Sequence, residues 1–188
     1  MAGAHLDSVP EGPGINDNGS GSSGLIEVAE QIAKLKLPNK VRFAWWGAEE
    51  AGLIGSPNYG LFIYDGDGSG FGLVGPDGSD EIEALFERYY AELGIPSEPT
   101  AFSGRSDYQA FINNGIPSGG LFTGAEGVKT PAQAAKWGGT AGLAYDPCYH
   151  SACDTIDNLD HDALGINADA VAYVVLLYAS RREAINAG

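Results

Sequence analysis

His5 and Asp17 are the first residues of this chain whose types and spacing can do chemistry. The histidine ends a predicted strand, and the carboxylate lies in the glycine-rich loop that follows, so the two can hold a cation between them. Imidazole nitrogen and carboxylate oxygen are both ligands that zinc accepts in proteins. Taken alone, however, His5 is as well explained by an ordinary surface or buried histidine.

Two adjacent carboxylates, Glu49 and Glu50, lie just past an apolar segment over residues 41–46 that is predicted to be a buried strand. One of them can bind a metal while the other accepts a proton from water and passes it to a leaving amine. A solvent-exposed acidic turn is the alternative, and it is the more common meaning of adjacent glutamates. This segment alone does not separate the two interpretations.

His150 lies in a short segment bounded by Cys148 and Cys153. A disulfide between these cysteines would hold the histidine rigidly, as suits a ligand, and would fit an extracellular enzyme. Tyr149 can donate a hydrogen bond to a developing oxyanion. The alternatives are a structural loop with an incidental histidine and reduced thiols in a cytosolic protein. His161, near a predicted helix start, is interpreted as a surface residue.

Composition narrows the class of function. The chain has 188 residues, of which 44% are hydrophobic, and this length fits one domain over residues 1–188 with its own core. A formal net charge of −15 disfavours binding to nucleic acid or to an anionic membrane. We find no continuous apolar run of the length needed to span a membrane and no export signal at the start.

The spacing of apolar residues predicts strands that alternate with helices. In chain order we expect a strand that ends at His5, a loop over 9–24, a helix over 25–35, a buried strand over 41–46, short strands over 61–64 and 71–74, a helix over 80–93, a short strand within 115–122, a long loop over 123–147 and a C-terminal helix that includes 171–178. Asp80 is the expected N-cap of its helix, and Gly94 the expected stop. The alternation predicts an α/β sandwich with sites at the strand ends.

The motifs together resemble the streptomycete-type secreted zinc aminopeptidases, whose centre holds a co-catalytic pair of zinc ions. The resemblance extends from residue 3 to about residue 178, with the motifs in the same order and approximate spacing. They are 5–8 with 16–21, Trp-Gly-Ala-Glu-Glu at 46–50, Gly-Arg-Ser-Asp at 104–107, 119–125, Lys-Trp-Gly-Gly-Thr at 136–140 and Cys-Tyr-His at 148–150. The resemblance implies a three-layer sandwich with a mostly parallel mixed sheet flanked by helices. It also implies secretion, and we expect a monomer.

The resemblance implies a ligand set and a general base. Asp17 would bridge two zinc ions, with His5 on one of them and Glu50 and His150 on the other. Glu49 would be the base that activates the bridging water. Each role also suits its residue type, because neutral imidazole and carboxylate bind zinc and a spare glutamate can transfer a proton.

The resemblance also implies how a peptide with a free N-terminus would be held. Tyr149 would steady the tetrahedral intermediate, and the backbone around Arg105 would help to hold the α-amino group. Phe122 would line a pocket for a large apolar first side chain.

This sequence departs from the family pattern before residue 61. About two dozen family residues are absent there, among them a strand whose Asn-x-Asp-Met motif supplies the third protein ligand of the first zinc. The family's elements before His5 are absent too. We therefore expect fewer strands, one well-furnished zinc position and an incomplete second position at His5. Asp65 or Asp67 is a candidate replacement ligand.

Calcium is not expected. Loop 65–70 begins like an EF-hand loop, but Pro76 occupies the position where that motif needs a glutamate, and predicted strands flank the loop. A tight hairpin is the better interpretation. A separate calcium site of the family depends partly on the absent N-terminal elements, and Gly165 stands where it needs an acid.

Three functions remain open. The first is a metal-dependent aminopeptidase, active or weakened by the absent ligand. The second is a mono-zinc enzyme similar to glutaminyl cyclases, which also use an Asp, Glu and His set. The third is a catalytically impaired fragment of this fold that binds metal or peptide.

Overall fold

A computed structural model describes residues 1–47 and 53–181 of the chain. The elements are β1 (Ala2–His5), an irregular helical turn (Ile15–Ser20), α1 (Gly21–Ile32), β2 (Phe43–Trp46), β3 (Phe62–Tyr64), α2 (Ser79–Glu92), β4 (Glu98–Thr100), α3 (Tyr108–Ile112), β5 (Leu121–Phe122), α4 (Pro131–Trp137), a short 3₁₀ turn (Ile156–Asn158) and α5 (His161–Ser180). The α/β class is confirmed, because helices alternate with strands whose pairings are parallel and antiparallel.

The described strands form two small sheets. In the first, β1 pairs in parallel with β2. In the second, β3 lies between β4, which is parallel to it, and β5, which is antiparallel. A cavity of about 860 Å³ lies between the two sheets and is lined by residues of β1, β5, α2 and α5. The strands of the described residues are therefore divided between two small sheets.

The core lies where the second sheet meets α2 and α5. Its buried apolar residues are Ile54, Ile63, Leu85, Phe86, Tyr90, Leu121, Ala170 and Val174. Full burial of a large apolar side chain contributes about 1.5–3 kcal/mol, so this cluster supplies much of the stability of the fold. The buried hydroxyl of Tyr90 donates a hydrogen bond to Asn167 Oδ1 at 2.8 Å, which joins α2 to α5.

The helix predicted over 80–93 is confirmed as α2, and its end is as expected. Gly94 has φ +69°, a left-handed conformation that glycine adopts without steric cost and that stops the helix. The predicted N-cap is wrong. Gly78 occupies the N-cap position, and Asp80 lies in the first turn.

The predicted strand over 41–46 is present as β2, but it is not buried. Its residues are mostly half-exposed, and the side chain of Trp45 is 36% exposed. The reason is its position, because β1 is the only strand with which β2 pairs among the described residues. The apolar composition therefore predicted the presence of the strand correctly but its burial incorrectly.

Two other predictions of local structure fail. The segment 71–74 is not a strand, and Phe71, Leu73 and Val74 are exposed, so the hairpin at loop 65–70 is wrong. The segment 123–147 is not only a loop, because it contains α4. A capping box joins Thr130 and Gln133 at the start of α4 and satisfies N–H groups there.

α5 is long and apolar enough to cross a membrane by length and composition, with a mean hydropathy of 1.5. The sequence analysis predicted a C-terminal helix here but no segment that could span a membrane. In this fold, α5 packs against both α1 and α2. Ala163, Ala170 and Val174 of α5 are buried, whereas most of its other residues are half-buried or exposed.

Candidate active site

The carboxylate of Asp17 lies between two imidazoles from distant parts of the chain. Its Oδ1 is 3.2 Å from His5 Nε2, and its Oδ2 is 3.2 Å from His150 Nε2. Asp17 is only 3% exposed and His5 is fully buried. Three of the four predicted metal ligands are therefore brought together, with one carboxylate oxygen facing each histidine.

His5 is oriented by the residue two positions along the chain. Its Nδ1 lies 3.0 Å from the carbonyl oxygen of Asp7, which can only accept a hydrogen bond. In the neutral ring Nδ1 therefore carries the proton, and Nε2 presents a lone pair to the carboxylate of Asp17. Burial lowers the pKa of His5, but Asp17, Asp107 and the Asp7 carbonyl outweigh it, so that the pKa is raised. The lone pair of Nε2 and the negative charge of the Asp17 carboxylate repel each other. A proton or a metal cation between them removes this repulsion.

Asp17 is held by a buried polar network. Asp154 accepts hydrogen bonds from the backbone N–H groups of Asn16 and Asp17, at 2.9 and 3.2 Å. The side chain of Asn16 donates to Asp146 at 2.7 Å, and Asn158 donates to both Asp146 and Asp154. This network holds the turn that carries Asp17, because its buried hydrogen bonds favour one arrangement of these side chains.

His150 is held by the loop that the cysteines close. Cys148 and Cys153 form a disulfide, and His150 has φ +52°, in the left-handed region. The ring of Tyr149 stacks on the imidazole, with the centroids 3.8 Å apart. His150 Nε2 is buried and forms no hydrogen bond with any described residue, although Asp17 is close. A buried ring nitrogen in this position requires a further partner.

These residues fit zinc. Two ligand atoms on one tetrahedral zinc ion, with bonds of about 2.0–2.1 Å, lie about 3.3 Å apart. The two nitrogen–oxygen separations around Asp17, 3.2 Å each, agree with that spacing. His5 and Asp17 would hold one ion, and His150 and Asp17 the other. Glu49 and Glu50, the predicted base and fourth ligand, lie outside the described residues.

The candidate replacement ligands lie elsewhere. Asp65 and Asp67 form a group with Glu83, and the structure gives neither of them a contact with His5 or Asp17. Among the described acids, Asp107 acts on His5 electrostatically. Sequence analysis named the segment that contains Asp107 but gave the residue no role.

Tyr149 and Arg105 lie together beside the histidine. Arg105 donates a hydrogen bond to the Tyr149 hydroxyl at 3.5 Å and forms an ion pair of 2.7 Å with Glu126. Burial, and next the charge of Asp17, raise the pKa of Tyr149 to about 12. The hydroxyl therefore stays protonated near neutral pH and can donate. Glu126 escaped prediction, because nothing in its local sequence indicates a partner that is 21 residues away.

Phe122 lies in a cluster of aromatic rings. Its ring is 6.3 Å from that of Phe62, which also packs edge-on against Trp137 and Tyr145. The next residue, Thr123, is buried and hydrogen-bonds Ser56, whose hydroxyl accepts from Asn16. β5 is thus tied to the turn that holds Asp17.

Comparison with known proteins identifies the family. A model described as peptidase family M28 matches residues 1–175. The chain belongs to peptidase family M28. Aminopeptidases from two strains of Pseudomonas aeruginosa are 58% identical to this M28 chain over 200 aligned positions, which include 93% of the chain and 37% of each relative. Leucine aminopeptidase 2 from Trichophyton rubrum is 51% identical, with 95% of the chain and 41% of the relative covered. The M28 chain therefore spans less than half the length of these relatives.

Solved structures agree with the fold of this M28 chain. A zinc aminopeptidase from Bacillus subtilis matches with a TM-score of 0.73 at 21% identity, over 98% of this chain and 47% of the other. An aminopeptidase from Aneurinibacillus sp. strain AM-1 matches with a TM-score of 0.70 at 24% identity, over 98% and 44%. At these identities the likeness establishes the α/β fold, with its helices and small mixed sheets.

Proposed function

We propose that this M28 chain carries the catalytic site of a zinc aminopeptidase that removes large apolar residues from the N-terminus of peptides. One observation carries the proposal: Asp17 presents one oxygen to His5 and the other to His150, at the same separation of 3.2 Å. A carboxylate shared in this way can serve two metal ions that act on one substrate. The aminopeptidase relatives support the same reaction class.

Zinc bound here would supply Lewis-acid chemistry, polarising the scissile carbonyl and making hydroxide available near neutral pH. The residues of the chain would do the rest. Glu49 would take the proton of the attacking water and deliver it to the leaving amine, and Glu50 would complete the ligand set with His150 and Asp17. Glu49 and Glu50 follow the end of β2 by three and four residues in the sequence.

Tyr149 would donate a hydrogen bond to the oxygen of the scissile carbonyl as negative charge develops there. Its raised pKa supports this role, because a hydroxyl that remains protonated can donate. Arg105 would position the tyrosine, and its neighbouring backbone would hold the substrate amine. Phe122 would contribute to the pocket for the first side chain.

The second zinc position is proposed to be the weaker one. Its described ligands are His5 and Asp17, whereas the other position also has Glu50 within its predicted set. An internal shortening of the chain would explain the absence of a third ligand. It is supported by the alignment with the Pseudomonas relatives, which extends over 200 positions but includes only 93% of the 188 residues of this chain.

We also propose that the protein is of the streptomycete-type secreted kind. The Cys148–Cys153 disulfide supports this, because such bonds persist mainly in oxidising compartments. The monomeric state remains an expectation from the sequence.

The two alternatives differ in measurable ways. A mono-zinc cyclase would release pyroglutamate from peptides that begin with glutamine. A catalytically impaired fragment would bind metal or peptide without turnover.

Hydrolysis of leucine p-nitroanilide, measured with and without added zinc, tests the proposal. We expect turnover that requires zinc and that Glu49→Gln lowers by at least about a hundredfold, since general base catalysis contributes about 10²–10⁴. Glu87→Gln, an exposed substitution on α2, is the matched control and should change nothing. No turnover at saturating zinc in a chain that binds the metal would establish the impaired fragment instead.

A further inference from the structure

Three carboxylates outside the active site meet at the start of loop 65–70. Asp65 follows β3 directly, Asp67 comes two residues later, and Glu83 projects from the second turn of α2. One oxygen of each residue lies within 4.8 Å of the others. Asp65 and Glu83 are buried, whereas Asp67 is exposed. The group is therefore buried on the side of Asp65 and Glu83 and open to solvent at Asp67.

Backbone N–H groups fix the orientation of each carboxylate. Asp65 Oδ2 accepts from Gly70 and Phe71, at 3.2 and 2.9 Å. Glu83 Oε2 accepts from Gly66 and Asp67, at 2.8 and 3.0 Å. These bonds occupy one oxygen of Asp65 and one of Glu83. They hold the loop against α2 before any ligand is present.

The other oxygen of Asp65 has no such partner. Asp65 is 1% exposed, yet its Oδ1 is buried and accepts no hydrogen bond from any described residue. Within residues 1–47 and 53–181, none of the three carboxylates forms an ion pair with a lysine, arginine or histidine. A buried carboxylate oxygen without a donor or a counter-charge is costly, because burial removes its hydration and the two N–H bonds to Oδ2 compensate only part of the charge.

The loop and the helix act on each other electrostatically as well. Burial raises the pKa of Glu83, and the charges of Asp67 and Glu87 add to the effect. Like charges held together in this way favour either a bound proton or a bound cation.

We propose that Asp65, Asp67 and Glu83 bind one calcium ion. All donors are oxygen atoms, which calcium prefers and which structural zinc sites lack. Oxygen atoms on one calcium ion can lie up to about 5 Å apart, so one ion can reach three oxygen atoms that all lie within 4.8 Å of one another. Magnesium demands near-ideal octahedral geometry, whereas calcium accepts irregular sets of carboxylate oxygens and water. Water would fill the remaining positions on the open side at Asp67.

The site explains why the sequence motif was misleading. Asp65, Asp67 and Ser69 have the spacing with which an EF-hand loop begins, but Pro76 stands where its closing glutamate is needed. In the fold, α2 places Glu83, which lies seven residues after Pro76, beside the loop. The carboxylate that the loop itself lacks is thus supplied by α2.

The proposal does not depend on peptidase activity. Its rival is a proton shared between the carboxyl groups, which would also relieve the repulsion. The two differ in their response to calcium, since a proton-sharing group gains nothing from the ion at neutral pH.

Calorimetric titration with calcium chloride decides between them, using the chain loaded with saturating zinc so that the histidine site does not compete. We expect one calcium ion per chain, with a dissociation constant of about 10⁻⁴–10⁻³ M, as in extracellular calcium modules. Asp67→Asn should weaken binding at least tenfold. Asp77→Asn, an exposed acid of the same region, is the matched control and should leave it unchanged.

Two further variants guard against a local effect of one substitution. Asp65→Asn and Glu83→Gln each keep one acceptor oxygen for the backbone N–H groups and should also lose at least tenfold in affinity. Thermal melts should show that calcium raises the Tm of the unchanged chain and of Asp77→Asn, but not of Asp67→Asn. No calcium-dependent heat or Tm change in the folded, zinc-loaded chain would overturn the proposal, as would equal losses in Asp77→Asn and Asp67→Asn.

Discussion

Asp17 and Asp65 are both buried carboxylates whose neighbourhoods are fixed by backbone N–H groups, but they face different partners. Asp17 is 3% exposed and faces two imidazoles, whereas Asp65 is 1% exposed and faces two carboxylates. The nitrogen donors come from β1 and the disulfide loop, and the additional oxygen donor comes from α2. The chemistry at each carboxylate is therefore set by the element packed opposite it, and not by the residue itself.

The largest expected effect removes the shared charge at the zinc site. Asp17→Asn should abolish zinc binding to both positions and lower turnover of leucine p-nitroanilide by at least about a hundredfold, because a neutral amide is a poor bridging ligand. Zinc per chain, measured by elemental analysis, checks the first part. Calcium binding should remain intact, and its loss in this variant would break the distinction between the two sites.

A smaller effect is expected one contact away from zinc. Asp154 accepts hydrogen bonds from the backbone of Asn16 and Asp17, so Asp154→Asn should weaken zinc binding about 10–100-fold, as outer contacts of metal ligands do. A competition titration with a chelator measures the affinity. Asp157→Asn, an exposed acid four residues before His161, is the control. Equal zinc affinity in both variants would mean that Asp17 needs no support from this network.

The smallest expected effect concerns the pH dependence of stability at the carboxylate group. The raised pKa of Glu83 means that the folded chain keeps a proton that the unfolded chain releases near pH 4.5. Without metal, the contribution of Glu83 is therefore fully present below that pH and is lost as the pH rises through its folded pKa. Denaturant unfolding at several pH values should show this decline, and Glu83→Gln should remove it.

Calcium should remove the same decline, because the ion favours the ionised form of Glu83. The lowered pKa of Asp67 acts at lower pH, below its ordinary value of 3.8, and does not obscure the window. If saturating calcium left the decline in the free energy of unfolding unchanged, the decline would belong to a titrating group other than Glu83.

The sequence pointed to the candidate ligands more directly than to the elements that support them. His5, Asp17 and His150 were proposed as ligands because zinc accepts their residue types and because their motifs resemble those of a zinc aminopeptidase family, and the structure places the three side chains together. Asp154 could not be found, because its contact with Asn16 joins residues 138 positions apart. Local pattern carries no information about such a pairing.

The elements show the same limit. The apolar stripe of α2 was sufficient to predict this helix, since a helix that packs on a core places an apolar residue against it every three or four positions. The strand predicted over 71–74 failed because apolar residues there are exposed, and α4 was missed although Thr130 and Gln133 form a capping box. The exposure of β2 could not be predicted, because it depends on which strands pair with β2, and the residues of β2 do not specify those partners.

The division of the Asp17 carboxylate between two histidines also has a thermodynamic consequence. Because each oxygen faces one ring, a cation that binds beside either histidine draws on the same negative charge. Filling one position must therefore change the affinity of the other, and linkage makes that change equal in both directions. A zinc titration of this chain would then follow a coupled isotherm, in which no single dissociation constant belongs to either histidine.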